Sequence, residues 1–160
     1  MPVGAYAASR EIMEHVAPVG SVYQAGTLSA NPVAMAAGLV TLEILQQPGF
    51  YEELEAKTHY FTQTILQHCH AKGYEFSLPQ IGSIFWILFS EDTVRTPEQI
   101  KAEGIEKFKK LHLECLKRGV YFGPSGYEVG FISAAHQQKD LDRAAGVVCE
   151  SLDEVFSDIH

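Results

Sequence analysis

The sequence is short of cysteine, of long apolar runs and of positive charge, and each shortage closes off a class of protein. Its three cysteines, Cys69, Cys115 and Cys149, are an odd number at wide spacing, which argues against a disulfide framework and for a reducing compartment. Each lies in a segment of helical pattern, where a small apolar residue fits. No apolar stretch approaches the roughly 18 residues of a membrane span, and the densest, Ile84-Phe85-Trp86-Ile87-Leu88-Phe89, has the length of a strand. The first residues lack a basic region followed by an apolar one, so no signal peptide is expected and the cytoplasm is the default location. Lysine and arginine number 12 against 20 acidic residues, and the basic residues form no stripe, so nucleic acid is a poor partner. Repeats and low-complexity tracts are lacking too. The 46% of apolar residues in a chain of 160 is enough for a real core.

Two kinds of chemistry also lack their parts. His68 and His70 are two apart on a helical segment, hence on different faces, and no cysteine or carboxylate set completes a metal site, so no metal is expected and the pair reads as surface. His112 and His136 stand singly and read as structural histidines with satisfied partners. No serine sits in the strained strand-turn-helix setting of a nucleophile elbow.

What is present is organised around residues 21–35. Before Asn31 the chain reads as a loop of small and hydroxyl residues; after it a helix begins, with Asn31 as N-cap and Pro32 at the first helical position. Gly26 lets a ligand approach the main chain, and the N–H groups of Gly26 and Thr27 with the Thr27 hydroxyl suit a phosphate. From the residues alone, a capped helix after a surface loop is the favoured reading, since short Gly-Thr loops before helices are common.

Residues 1–9 read as a strand-like, glycine-interrupted segment without a partner, followed by a short helix over 9–16 capped by Ser9 and stopped before Pro18. The helix from Pro32 to Gln46 repeats Val33, Ala36, Ala37, Val40 and Ile44 at helical spacing and is expected to be deeply buried. A second helix runs over 50–72 with Leu54, Thr58, Phe61 and Ile65 inward and Gly73 ending it. Tyr74–Leu78 and Ser83–Phe89 read as strands around a turn at Pro79 and Gly82. Residues 90–103 form an excursion with a possible helix start at Thr96. A helix over 105–118 then buries Ile105, Phe108, Leu111, Cys115 and Leu116. Val120–Phe122 and Val129–Ser133 are two further strands around a Gly123–Gly130 turn. The last helix, 136–156, buries Leu141, Ala144, Ala145, Val148, Leu152, Val155 and Phe156. The expected fold class is α/β to α+β, with a small, mainly antiparallel sheet and helices on one face.

Three stretches, Pro2-Val3-Gly4-Ala5-Tyr6, residues 23–32 (Tyr23 to Pro32) and residues 123–131 (Gly123 to Phe131), together resemble the C-terminal part of the glutamate-1-semialdehyde 2,1-aminomutases. These belong to the class-III aminotransferases, dimeric pyridoxal-phosphate enzymes of fold type I. The resemblance spans nearly the whole chain but only part of such an enzyme. It implies an isomerase that moves an amino group between neighbouring carbons of an amino-aldehyde to give 5-aminolevulinate for tetrapyrrole synthesis. It implies a homodimer in which Gly26 and Thr27 bind the phosphate of pyridoxal 5'-phosphate, Tyr23 and Ala25 lie at the dimer interface, and Glu128 faces the active site. A glutamate there favours an amine-bearing group over a second carboxylate. Residues 1–46 would be a remnant of the large cofactor domain, and 47–160 the small C-terminal domain.

In the family the lysine that forms the Schiff base lies just before the Pro-Val-Gly-Ala-Tyr motif. Here Lys57, Lys72, Lys101, Lys107, Lys109, Lys110, Lys117 and Lys139 all fall on helices or in polar stretches and read as solvated surface, so no catalytic residue is expected in this chain and it should be inactive alone. Two other readings stay open. A class-III aminotransferase fragment should show an arginine near Gly123–Gly130, and none is there; a non-catalytic folding or dimerisation module needs no such residue.

Overall fold

The structure, a computed structural model, describes residues 3–157. The part of the Pro-Val-Gly-Ala-Tyr motif at Pro2, and the expected strand-like start at Met1, lie outside the described residues. The chain divides into two compact units, Met1–Phe50 and Tyr51–His160.

The first unit holds α1 (Arg10–Met13) and α2 (Pro32–Leu45). Helix α1 is a single turn, shorter than the expected 9–16, because Val16 turns aside to bridge Val22 in a parallel pair. Ser9 occupies its N-cap position without a side-chain bond. Helix α2 starts as expected: the Asn31 side chain accepts from Val33 N at 3.0 Å and Ala34 N at 3.3 Å, and Pro32 opens the first turn. The expectation of deep burial fails. Of its residues Ala34 alone is buried, while Val33, Leu39, Val40, Leu42 and Ile44 are exposed. A helix apolar all round needs cover on every side, and one turn of helix and its connecting loops cannot enclose it within this unit.

The second unit contains α3 (Phe50–Lys72, its first residue closing the unit before), β1 (Gln80–Ile81), β2 (Ile84–Trp86), α4 (Ala102–Lys117), β3 (Val129–Phe131) and α5 (Gln138–Ser157). The strands form one antiparallel sheet in the order β1-β2-β3, with Gln80 opposite Phe85 and Phe85 opposite Gly130. Phe85 points into the helical side, 5.2 Å from the Phe61 ring of α3, while Phe131 on the other face is exposed. Phe61, Ile65 and Cys69 of α3, Phe108, Leu111 and Cys115 of α4, and Leu141, Ala145, Val148, Leu152 and Val155 of α5 close one core with Phe76, Phe85 and Ile132. The predicted stripes of α3 and α5 are therefore the buried ones, with Leu54, Ala144 and Phe156 at their partly buried margins.

The strands are shorter than expected. Tyr74–Leu78 forms no strand: only Ser77 pairs, with Leu88, because Tyr74 is drawn aside to stack on Phe156 at 4.1 Å. Val120–Phe122 is not a strand either. Gly119, at φ +81°, ends α4, and Val120 N–H bonds back to Cys115 O at 2.9 Å, so this segment is spent on capping the helix. The helix start at Thr96 is a 3-10 turn, Pro97–Gln99, with Gln99 Oε1 accepting from Thr96 N–H at 3.2 Å.

Candidate functional site

The loop before α2 is open. Tyr23, Ala25, Gly26 and Thr27 are all exposed, Tyr23 at 84%. Ser29 N–H bonds to Gly26 O at 2.9 Å and Asn31 N–H to Leu28 O at 3.1 Å, closing two successive turns, with Ala30 at φ +55° as the price of the second. A Cβ at Gly26 would stand 2.6 Å from Ser29 Oγ, so a side chain there would turn the exposed Ser29 hydroxyl aside and cover the main chain that glycine leaves open. Among the described residues, the N–H groups of Gly26, Thr27 and Leu28 and the Thr27 hydroxyl have no partner. The helix contributes less than a bare N-terminus does, because Asn31 has already taken the Val33 and Ala34 donors. The available donors are those of the loop. Uncharged, exposed and consecutive in the chain, donors of this kind suit a phosphate group.

Glu128 belongs to the other unit. It is exposed at the end of a turn: its N–H donates to Ser125 O at 3.0 Å, and Tyr127 N–H donates to Ser125 Oγ at 3.2 Å. Among the described residues no donor engages its carboxylate. Beside this turn a groove of about 420 Å³ lies between the chain segments at Gly119–Gly123 and Val129–Ile132 and the first turns of α5. Its floor is Phe61, Phe85 and Phe122, and His136 and Arg143 stand among its lining residues.

The remaining titratable groups are structural. Burial pushes the Cys69 thiol up to about 12 and the Cys149 thiol up to about 11, so neither supplies a thiolate at neutral pH. His136 Nδ1 accepts from Ser133 N–H at 3.0 Å, as expected of a structural histidine. His112 departs from that expectation: its Nδ1 is buried without a partner among the described residues, its ring lying between Phe108 and Tyr121. His68 is also no free surface group; its Nε2 lies 2.8 Å from Asp153 Oδ1, whereas His70 is exposed. No group of three or more metal-ligating side chains occurs among the described residues. Most lysines are helix-surface groups, with Lys72, Lys101, Lys109 and Lys117 exposed and ion-paired. Lys107 differs from the expected solvated face: its side chain is 17% exposed, pairs with Glu103 at 2.7 Å and lies over the Phe156 ring. Lys57 is half-buried and donates to Ala134 O at 3.1 Å.

A family model, aminotransferase class-III, matches residues 1–148. The chain belongs to the class-III aminotransferases. A glutamate-1-semialdehyde 2,1-aminomutase of Bordetella avium (strain 197N) is 46% identical over 141 residues, a span that covers 88% of this chain and 33% of that protein. Among solved structures, a transaminase with PLP bound superposes with a TM-score of 0.72 at 22% identity, over 93% of this chain and 34% of the other. A glutamate-1-semialdehyde aminomutase from Pseudomonas aeruginosa PAO1 superposes with a TM-score of 0.72 at 18% identity, over 91% and 33%. The fold is thus part of the pyridoxal-phosphate-dependent transaminase fold, and the chain spans about a third of the length of the relatives it matches. Class-III aminotransferases work with pyridoxal phosphate.

One anchor escaped the sequence reading. The Trp86 indole N–H donates to Gly126 O at 2.9 Å, tying β2 to the Glu128 turn across 40 residues. Periodicity carries no information over that distance; the available signal was an aromatic donor in an apolar strand with a glycine turn still to be seated.

Proposed function

We propose that this chain carries the phosphate loop and the small C-terminal domain of a pyridoxal-phosphate-dependent aminomutase that converts glutamate-1-semialdehyde to 5-aminolevulinate for tetrapyrrole synthesis, as a cytoplasmic homodimer. The observation that carries the reading is the Gly26–Thr27 bend, exposed and with its amides and hydroxyl unengaged among the described residues. The relatedness to the Bordetella aminomutase supports the choice of reaction. In this reading residues 1–46 belong to the large cofactor domain and 47–160 to the small domain. The loop donors hold the cofactor phosphate, with Tyr23 and Ala25 at the subunit interface. The bound cofactor supplies an electron sink for the carbon whose proton moves. Glu128 accepts from the substrate's amine-bearing end and repels a second carboxylate, which sets the enzyme apart from an aminotransferase that needs an arginine there; residues 123–130 contain none.

These 160 residues alone are then a non-catalytic portion: no lysine precedes Lys57, so the loop's own unit offers no amine for the cofactor. The test is Thr27→Ala in the full-length enzyme. Losing a hydrogen bond to a charged phosphate raises the dissociation constant for pyridoxal phosphate about tenfold or more. Equilibrium dialysis followed by cofactor absorbance measures it, and unchanged retention refutes the phosphate role.

A further inference from the structure

Trp86 ends β2, and the strand register sets it opposite Val129, the residue after Glu128. Its side chain reaches past that rung to hold Gly126 O at 2.9 Å. Gly126 is itself buried against α4: a Cβ there would stand 2.9 Å from Ile105 Cδ1 and 3.3 Å from the Phe108 ring. The carbonyl meets the indole because nothing bulkier than glycine separates this turn from the helix. Beyond it, Glu128 N–H closes the turn onto Ser125 O, and the Glu128 carboxylate lies over Gly123, in the space a side chain at 123 would fill. The turn is therefore gripped by the Trp86 indole, by α4 beneath Gly126, and by the bare backbone at Gly123. The indole bond is the side-chain hydrogen bond that ties the turn to β2, and with the Glu128–Ser125 turn bond and the Trp86–Val129 rung it sets how the last two residues of the turn leave it.

We propose that Trp86 is the positioning residue of Glu128: by holding Gly126 O it fixes the turn that presents the Glu128 carboxylate, and so it sharpens discrimination between an amine-bearing monocarboxylate and a dicarboxylate. The proposal rests on Glu128 facing the substrate. The Trp86 indole N–H is engaged by Gly126 O, so the role assigned to it is exerted through the turn. Among the described residues this bond is the side-chain hydrogen bond that joins the turn to the sheet, so its loss is felt in the turn and at Glu128 while the core side chains keep their packing.

The experiment uses the full-length enzyme with Trp86→Phe, which keeps an aromatic ring and removes the N–H. A second substitution, of Trp86 by the sulfur isostere benzothienylalanine, keeps the shape as well and serves if the phenylalanine variant does not fold. Two quantities are read: amide exchange over 123–130 against that over α5, and the ratio of the inhibition constant for glutamate to the KM for glutamate-1-semialdehyde. Loss of one ordinary hydrogen bond speeds exchange over 123–130 about fivefold with α5 unchanged, and lowers the ratio by a similar factor. Glu128→Gln lowers the ratio too, and adding the Trp86 change to it lowers it no further, because both act at one carboxylate. If Glu128→Gln lowers the ratio and the Trp86 variants do not, the positioning role is overturned while Glu128 keeps its own. If Glu128→Gln leaves the ratio unmoved, the reading of Glu128 fails, and with it this proposal, whatever the turn's exchange shows.

Discussion

Asp153 shows what a single residue can do that no local pattern announces. Its Oδ1 accepts from the Tyr74 hydroxyl at 2.8 Å and lies 2.8 Å from His68 Nε2, and Lys72 Nζ stands 3.8 Å from its other oxygen. Burial works against the carboxylate's charge, but the bonds from His68 and Tyr74 together outweigh it and hold Asp153 below the usual carboxyl range. Burial, reinforced by the bond to Asp153, pushes the Tyr74 phenol up to about 12. A carboxyl held low in the folded state binds fewer protons than it does unfolded, so its stabilising effect is present above the unfolded value and disappears as pH falls through the folded one. Urea midpoints followed by circular dichroism should therefore fall between about pH 5 and pH 2. Asp153→Asn should flatten part of that slope while lowering the midpoint at neutral pH; parallel pH profiles for the two proteins refute the assignment. The sequence hid this cluster because its members lie 79 and 85 residues apart and each, taken alone, is an ordinary polar residue.

At the scale of the element, legibility follows length. Helices α3 and α5 run 23 and 20 residues, long enough for the apolar stripe to repeat several times and settle which face is inside. The strands are two or three residues each, too short for alternation to register, and the chain beside them is claimed by other work: Tyr74 by Asp153, Val120 by the end of α4. Leu116 shows the same limit within a helix. Its spacing from Phe108 and Cys115 placed it on the inner face, yet it is 48% exposed, because one residue past Cys115 is about 100° further round the helix and beyond the edge of the Phe108–Leu111–Cys115 stripe. Paired substitutions separate the two positions. Leu111→Ala removes a fully buried side chain and costs about 2–5 kcal/mol, whereas Leu116→Ala costs less than about 1 kcal/mol. Chemical denaturation of the chain with a common slope measures both, and equal losses contradict the exposure seen at Leu116.

For the whole molecule, the contrast is between a unit that encloses its apolar residues and one that does not. In the second unit the core residues of three helices and the sheet are almost wholly withdrawn from water. In the first, Val3, Tyr6, Val22, Tyr23, Leu28, Val33, Leu39, Val40, Leu42 and Ile44 all stay exposed, and Ala34 alone is buried among the described residues. The apolar residues of α2 were legible in the sequence as a surface that needs cover; the cover itself was not, because no pattern in this chain specifies it. Exposed apolar surface beyond a few hundred Å² rarely stays in water unaccompanied, and its burial between two copies, at about 25 cal/mol per Å², is the gain set against the cost of bringing them together. The expected outcome is self-association through residues 3–50: light scattering on the purified chain at tens of micromolar, a concentration at which a micromolar dissociation constant leaves most copies paired, gives at least twice the chain mass. Replacing Leu39 and Leu42, exposed on α2, by glutamate places like charges in that contact and returns the chain to monomer without unfolding the second unit, whose core these residues do not enter. A monomeric parent chain at that concentration removes the argument for a subunit interface at the loop, and leaves Gly26 and Thr27 to hold their phosphate without help from a second copy.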